Sequence, residues 1–309
     1  MGAKRRHHVV PNFYLKGFTD PSAVKPKVWI YEKGKPYNDG PNQQKQNPKL
    51  QTTKSTGWIL NRYKFTKQDG TEEKTKYEDI LAKEFEQPAI EFLTSLRDDK
   101  ALTPSGKERL SVYLISMILR GKLGQTMLSN RKFERTIERR RTLERSGLTE
   151  PEINSKMSVF VDGLENDLKT EGPMNDMIVL SEVCSRLLLD YRWMVLLAPS
   201  KKFFPTSDRP VLCPTWNNLH TFPSWFVFPI CSRICLLVCQ NQFTPLQNWI
   251  DLLADRWLVD DHTFKWLFDH LVGNAFSEVY YCESNESLVD RVNELLSIPL
   301  ENLELFGGP

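Results

Sequence analysis

Apolar positions fall in short runs over the first quarter of the chain, in long helical stripes through its middle, and in dense strand-like blocks after residue 192. Val28-Trp29-Ile30-Tyr31, followed by the turn-forming Gly34 to Pro36, predicts a strand and the beginning of a return. The polar stretch Asn38 to Lys54 predicts a loop, long enough to act as a lid or binding loop. Gly57 to Thr66 predicts another short strand, turned by Asp69-Gly70.

The middle of the chain is helical. Leu81, Phe85, Ala89, Phe92, Leu93 and Leu96 set a helix over about Thr75 to Leu96, with a kink at Pro88. Thr103-Pro104-Ser105 opens a second helix, with Thr103 or Ser105 as cap and Leu110, Tyr113, Leu114, Met117 and Ile118 on one stripe. This helix is expected to continue past Gly121 and Gly124 into a charged run that ends at Gly147. Helices follow at about Glu150 to Lys169 and Asn175 to Tyr191.

From Arg192 the pattern becomes strand-like, at Trp193 to Ala198, Phe203-Phe204, Pro210 to Cys213, Trp225 to Pro229 and Ile234 to Cys239. Helix resumes over Pro245 to Trp257 and Asp261 to Asn274, then a strand at Val279 to Cys282 and a last helix near Glu286 to Leu296. Helices followed by strands predict an α+β fold, with a mostly antiparallel sheet packed on a helical central region. The expectation is one domain over 1-309, with a helical subdomain at about 103-191.

Composition narrows the classes little. Forty-one basic residues face 39 acidic ones in a chain of 309, a net charge of +2, so nucleic-acid binding would have to rest on local clustering. No apolar run approaches the roughly 20 residues of a membrane span, which points to a soluble, cytoplasmic protein. Three of the six cysteines, Cys231, Cys235 and Cys239, recur every fourth residue; read as one strand they share a face. Structural zinc favours closely spaced pairs, so buried reduced thiols are expected instead.

The run Arg131 to Arg145 holds seven basic and three acidic residues. It could contact phosphates, but a solvated helix laced by pairs such as Glu144 with Arg140 is the default, since Phe133 is its only aromatic residue. His262 and His270, eight residues apart, lack metal-ligand spacing and are read as ordinary.

Candidate chemistry rests on placement, because phosphate-loop, dinucleotide, zincin and nucleophile-elbow motifs are absent. On the first helix the apolar meridian passes almost through Glu78, and Glu86 lies about 80° round from it. A carboxylate aimed at a core must be paired, bonded, protonated or metal-bound. Glu78 also completes a capping-box pattern with Thr75. Asp208, before Pro210, either builds a turn or projects into a cleft. His7 and His8, adjacent on an extended segment, point to opposite faces, so at most one enters a given site. Their segment, with Phe13, Tyr14, Leu15 and Phe18, can also serve as an aromatic plug.

That opening, His7-His8-Val9-Val10-Pro11-Asn12-Phe13-Tyr14-Leu15-Lys16-Gly17-Phe18, resembles the first motif of a largely bacterial family of unknown function, DUF4238. Family landmarks recur in order: the glutamates Glu78 and Glu86, an arginine matching Arg120, and Thr206 to Val211. The family normally has asparagine at Arg209 and tyrosine at Val9. The resemblance implies that His7 or His8, Glu78, Glu86, Arg120 and Asp208 converge in one pocket.

The expected function is a metal-dependent phosphoesterase or nuclease. Magnesium or manganese would sit on Glu78, Glu86, Asp208 and His8, and Arg120 would steady the developing charge. Arg5, Arg6, Tyr14, Arg139 and Arg140 are expected to contact substrate, with nucleic acid as the candidate. The alternative is a non-catalytic module that binds nucleic acid or protein, in which the same polar cluster is structural.

Overall fold

The computed structural model describes residues 6–20, 22–32, 48–60, 65–66, 71–73, 75–121, 124, 136, 138–169, 172–214, 222–240 and 256–297. Strand β1 (Arg6–His8) leads into a one-turn helix α1 (Asn12–Leu15). Strands β2 (Lys27–Glu32), β3 (Lys49–Thr52), β4 (Trp58–Leu60), β5 (Phe65–Thr66) and β6 (Glu72–Glu73) follow. The central helices are α2 (Lys76–Ile80), a π-helical segment Leu81–Glu86, α3 (Gln87–Arg97), α4 (Pro104–Arg120), α5 (Glu150–Lys169) and α6 (Gly172–Leu187). Strands β7 (Arg192–Leu197), β8 (Thr206–Ser207), β9 (Trp225–Cys231), β10 (Ile234–Cys239) and β11 (Arg256–Leu258) come next. Helix α7 (Asp261–Gly273), strand β12 (Glu278–Tyr281) and helix α8 (Glu286–Ser297) complete the described chain.

Two four-stranded sheets organise the fold, one in the order β11-β7-β10-β9 and one in the order β3-β2-β12-β8. Their pairings are antiparallel except for β11 on β7, so the fold is α+β with mostly antiparallel sheets, as the sequence predicts.

The β9-β10 sheet is covered on both faces, which is why its strands read as unbroken apolar blocks. Alternate residues serve different cores. Phe226, Phe228, Leu236 and Val238 pack with α1, α3, α4 and α6. Trp225, Val227, Cys235, Leu237 and Cys239 pack with α7 and α8. A third, small cluster of Leu143, Ile153 and Met157 lies between the helical stretch at 138–145 and α5.

Several local expectations change. Cys231 and Cys235 do not share a strand: β9 ends at Cys231, Ser232-Arg233 makes the turn, and β10 starts at Ile234 with a register shift at Cys235. All six thiols are free, as expected. Burial pushes the Cys235 thiol well above its ordinary pKa and the Cys213 thiol up to about 12. Part of the expected loop at 38–54 is strand β3, and residues 256–258 form strand rather than helix. The remainder of that loop before residue 48, the turn at Asp69-Gly70 and the expected helix before residue 256 lie outside the described residues.

Helix α4 begins as predicted: Thr103 Oγ1 accepts the Gly106 amide at 3.1 Å, and Pro104 fills the first turn. Its end is at Arg120.

The opening motif holds the architecture together. Tyr14 is fully buried, its ring stacked on Phe228 at 5.2 Å. Its hydroxyl donates to Pro229 O of β9 at 2.8 Å and lies 2.8 Å from Thr206 Oγ1 of β8. Because the phenol has one hydrogen, the Thr206 hydroxyl is the donor in the second bond. Arg97, at the end of α3, donates to Ile230 O at 2.9 Å and to Tyr14 O at 3.3 Å. Gly57, at φ +69°, accepts from the amides of Val9 and Val10, and a Cβ there would meet Val10 O at 2.9 Å. This turn joins the motif to β4 with a residue that tolerates a left-handed backbone.

Tyr14→Phe is expected to leave two buried groups short of a partner, at a cost of about 1–3 kcal/mol each. Urea unfolding measures it; a loss under about 0.5 kcal/mol, typical of surface changes, would refute the bridging role.

Candidate functional site

Glu86 reaches its place through an irregularity in the helix. Between Leu81 and Glu86 the backbone is π-helical, and the Gln87 amide donates to Ala82 O, a five-residue step. Pro88 follows at once and has no N–H for the ordinary ladder. A five-residue ladder winds by less than about 100° per residue, so it reduces the offset between Glu86 and Glu78 and turns Glu86 inward. The irregularity is thus a π segment before the proline, where a kink at Pro88 was expected.

Arg120, at the last turn of α4, is the partner. Its Nη1 donates to Glu86 Oε1 at 2.5 Å, with side-chain exposures of 0% for the arginine and 19% for the glutamate. A buried guanidinium requires such a counter-charge. Tyr113, two turns earlier on α4, is fully buried beside the pair. Burial pushes its phenol well above the ordinary value and the Glu86 charge adds to this, while Arg120 and Arg97 oppose it. Phe13 of the opening motif packs on Tyr113 at 5.8 Å between ring centroids. The motif helix therefore touches the Glu86–Arg120 neighbourhood through Phe13 and the β8 strand through Tyr14.

Asp208 sits at the end of β8 and serves a different set of groups. Its amide donates to Glu278 O at 3.0 Å. Its carboxylate accepts from the amides of Phe276 and Ser277, each at 2.8 Å, and from Ser277 Oγ at 2.6 Å. Asn274 Nδ2 donates to Arg209 O and Val211 O, and Ser207 Oγ to Arg209 O. The Thr-Ser-Asp segment is thus clamped to the loop between α7 and β12. Burial lowers the pKa of the Arg209 guanidinium, against the opposing charge of Asp208.

Beyond Asp208 lies Glu278, half-buried, bonded to the Tyr280 hydroxyl at 2.5 Å. Burial raises its pKa above the ordinary 4.5; the Tyr280 bond opposes this, and the charges of Asp208 and Glu32 add to it.

The remaining expected residues sit on β1, α1 and α2 and in the helical stretch at 138–145. His8 is half-buried on β1, opposite Trp58 of β4. His7 pairs with Ile59 through the backbone, and the side chains of Arg6 and His7 lie outside the described residues, as does Arg5. Glu78 is half-buried in the first turn of α2, where the Thr75 side chain makes no capping bond, so that half of the capping box is absent. Tyr14, expected at a substrate, is instead sealed in the core with its hydroxyl bonded.

Arg139 is exposed, and Arg140 binds Glu144 at 2.9 Å, the pair expected from their spacing, as well as Glu150 at 2.7 Å. His270 accepts the ordinary role, with Nδ1 2.7 Å from Trp266 O.

Among the described residues no group of three or more His, Cys, Asp or Glu is arranged to hold a metal ion. Of the expected set of Glu78, Glu86, Asp208 and His8, Asp208 accepts from the loop between α7 and β12 and Glu86 pairs with Arg120. Arg97 and Glu278 are partners that sequence reasoning missed, and Tyr113 and Thr206 stood out only as a stripe residue and a motif residue. Each sits inside an apolar run or at an element's end, where periodicity gives no sign of its bond.

These features define a two-sheet α+β protein whose opening motif is a buried tie between layers. The chain belongs to the protein family of unknown function DUF4238, whose model matches residues 6–293. No curated protein and no solved structure matches it.

Glu278→Gln tests the electrostatics of the β12 edge. A carboxyl with a raised folded pKa contributes stability that is present below its unfolded value and lost as pH rises through the folded one. The variant should therefore gain on the wild type as pH climbs from about 4 towards 7. Urea unfolding across that range measures the difference; a gain that shrinks with pH would contradict the assignment.

Proposed function

We propose that this protein is a non-catalytic binding module whose family landmarks are structural. The carrying observation is that the Asp208 carboxylate is occupied by three local donors. Glu86 is likewise committed to a fully buried Arg120. Residues that must bind metal and substrate need open coordination positions, whereas these are held by the protein's own groups.

The partner class favoured by surface chemistry is protein. Exposed Arg139, Arg141 and Arg145 stand among exposed Glu138, Glu144, Glu150 and Glu152, and Arg140 is already bridged twice. Phosphate tracking draws on clustered cations, whereas those at 139–145 are interspersed with carboxylates.

A metal-dependent phosphoesterase acting on nucleic acid is the second reading. One observation favours it: the π segment that ends at Glu86, a kind of irregularity frequent at functional sites, beside a Tyr113 hydroxyl with no hydrogen-bond partner among the described residues.

Calorimetric titration with manganese, alongside urea unfolding, separates the two. Wild type is expected to take up no manganese. Glu86→Ala is expected to lose about 3–5 kcal/mol by stranding Arg120. Asp208→Ala is expected to lose about 1–3 kcal/mol by releasing the 276–277 amides. Manganese binding by the wild type that either substitution abolishes without loss of stability would overturn the module reading in favour of the enzyme.

A further inference from the structure

Helix α6 presents two unlike faces. Met177, Leu180 and Cys184 are buried towards α4. Along one flank of that face Val179, Val183 and Leu187 are 50%, 55% and 49% exposed, and Leu189 just beyond is 41% exposed. Spacing of four makes the first three a single i±4 ridge, the commonest ridge used when helices pack. Valine is no aid to an exposed helix, since its branched Cβ restricts rotamers there. Neither local propensity nor solubility accounts for this ridge, whereas burial by a partner does.

The charges beside it say which partner. Glu182 and Arg186 are exposed, also four residues apart, and form a parallel ridge next to the apolar one. A twofold axis between the levels of residues 183 and 184 lays a second copy's α6 antiparallel across the first. The apolar ridges then meet, Glu182 faces the second copy's Arg186, and by symmetry Arg186 faces its Glu182. Such self-complementarity is the mark of an isologous contact.

We propose that this face of α6 is a homodimer interface, formed by antiparallel packing of α6 on its copy. The proposal rests on the protein-binding reading and supplies its partner. One helix pair covers less than the about 800 Å² per partner of a standard interface, so the dimer is weak and depends on concentration.

Sedimentation velocity over the micromolar range tests it. The wild type should pass from monomer to dimer with rising concentration, and Val183→Glu should stay monomeric. Glu182→Arg and Arg186→Glu should each be monomeric alone, through like charges across the axis, and should associate when mixed in equal amounts. All three positions are exposed, so unchanged thermal unfolding verifies that the variants remain folded. A wild type that stays monomeric throughout, a Val183→Glu variant that dimerises as well as wild type, or a mixture that fails to associate would each overturn the proposal. None of these results alters the manganese and stability measurements, so failure here is distinguishable from failure of the module reading.

Discussion

One phenol hydroxyl joins the two large sheets. Tyr14 Oη accepts a hydrogen bond from the Thr206 hydroxyl of the β8 edge and donates one to Pro229 O of β9. No apolar contact could do the same, because the Pro229 carbonyl and the Thr206 hydroxyl need partners once water is excluded. Arg97 adds a third layer by donating from the end of α3 to Ile230 O and to the Tyr14 carbonyl. The helices, the central sheet and the second sheet thus meet at one residue of a one-turn helix.

The position of that residue follows from the two-faced central sheet. Residues of β9 and β10 alternate between a core shared with α1, α3, α4 and α6 and a core shared with α7 and α8. A sheet buried on both sides exposes little polar edge, so its carbonyls near the open end must be met by side chains. Arg233 does this in the β9-β10 turn by donating to Ala198 O, Pro199 O and Lys202 O. Tyr14 and Arg97 do it at the other end of the turn, along Pro229 and Ile230.

Periodicity alone located most helices and three of the four strands of the central sheet, because those elements bury whole stripes or whole runs. Glu150 to Lys169 and Ile234 to Cys239 emerge with the predicted bounds. The π segment was hidden, since it depends on which carbonyl each amide selects, and the apolar spacing of Leu81 and Phe85 suits either ladder. Burial of one of the two singled-out glutamates was legible, as a carboxylate near an apolar meridian needs a partner, and Glu86 has it in Arg120. Asp208 was ambiguous by nature: three donors that claim it lie 68 and 69 residues away, where no local pattern could reveal them. Thr206 was visible only as part of a motif, with its bond to Tyr14 spanning 192 residues.

Adjacent residues of the opening motif serve different clusters. Phe13 leans on Tyr113, beside Glu86 and Arg120, while the next residue, Tyr14, reaches Thr206 and so the segment that Asp208 clamps. Successive residues of a short helix point about 100° apart, so α1 can touch two neighbouring clusters at once, with Phe228 packed on both Tyr14 and Tyr113. A packing that displaced α3 from α4 would strand the Arg120 charge at about 3–5 kcal/mol. A packing that displaced α1 would leave the Tyr14, Thr206 and Pro229 groups unmet. Each cluster therefore penalises a different error in assembly, and the motif between them makes the two penalties act together.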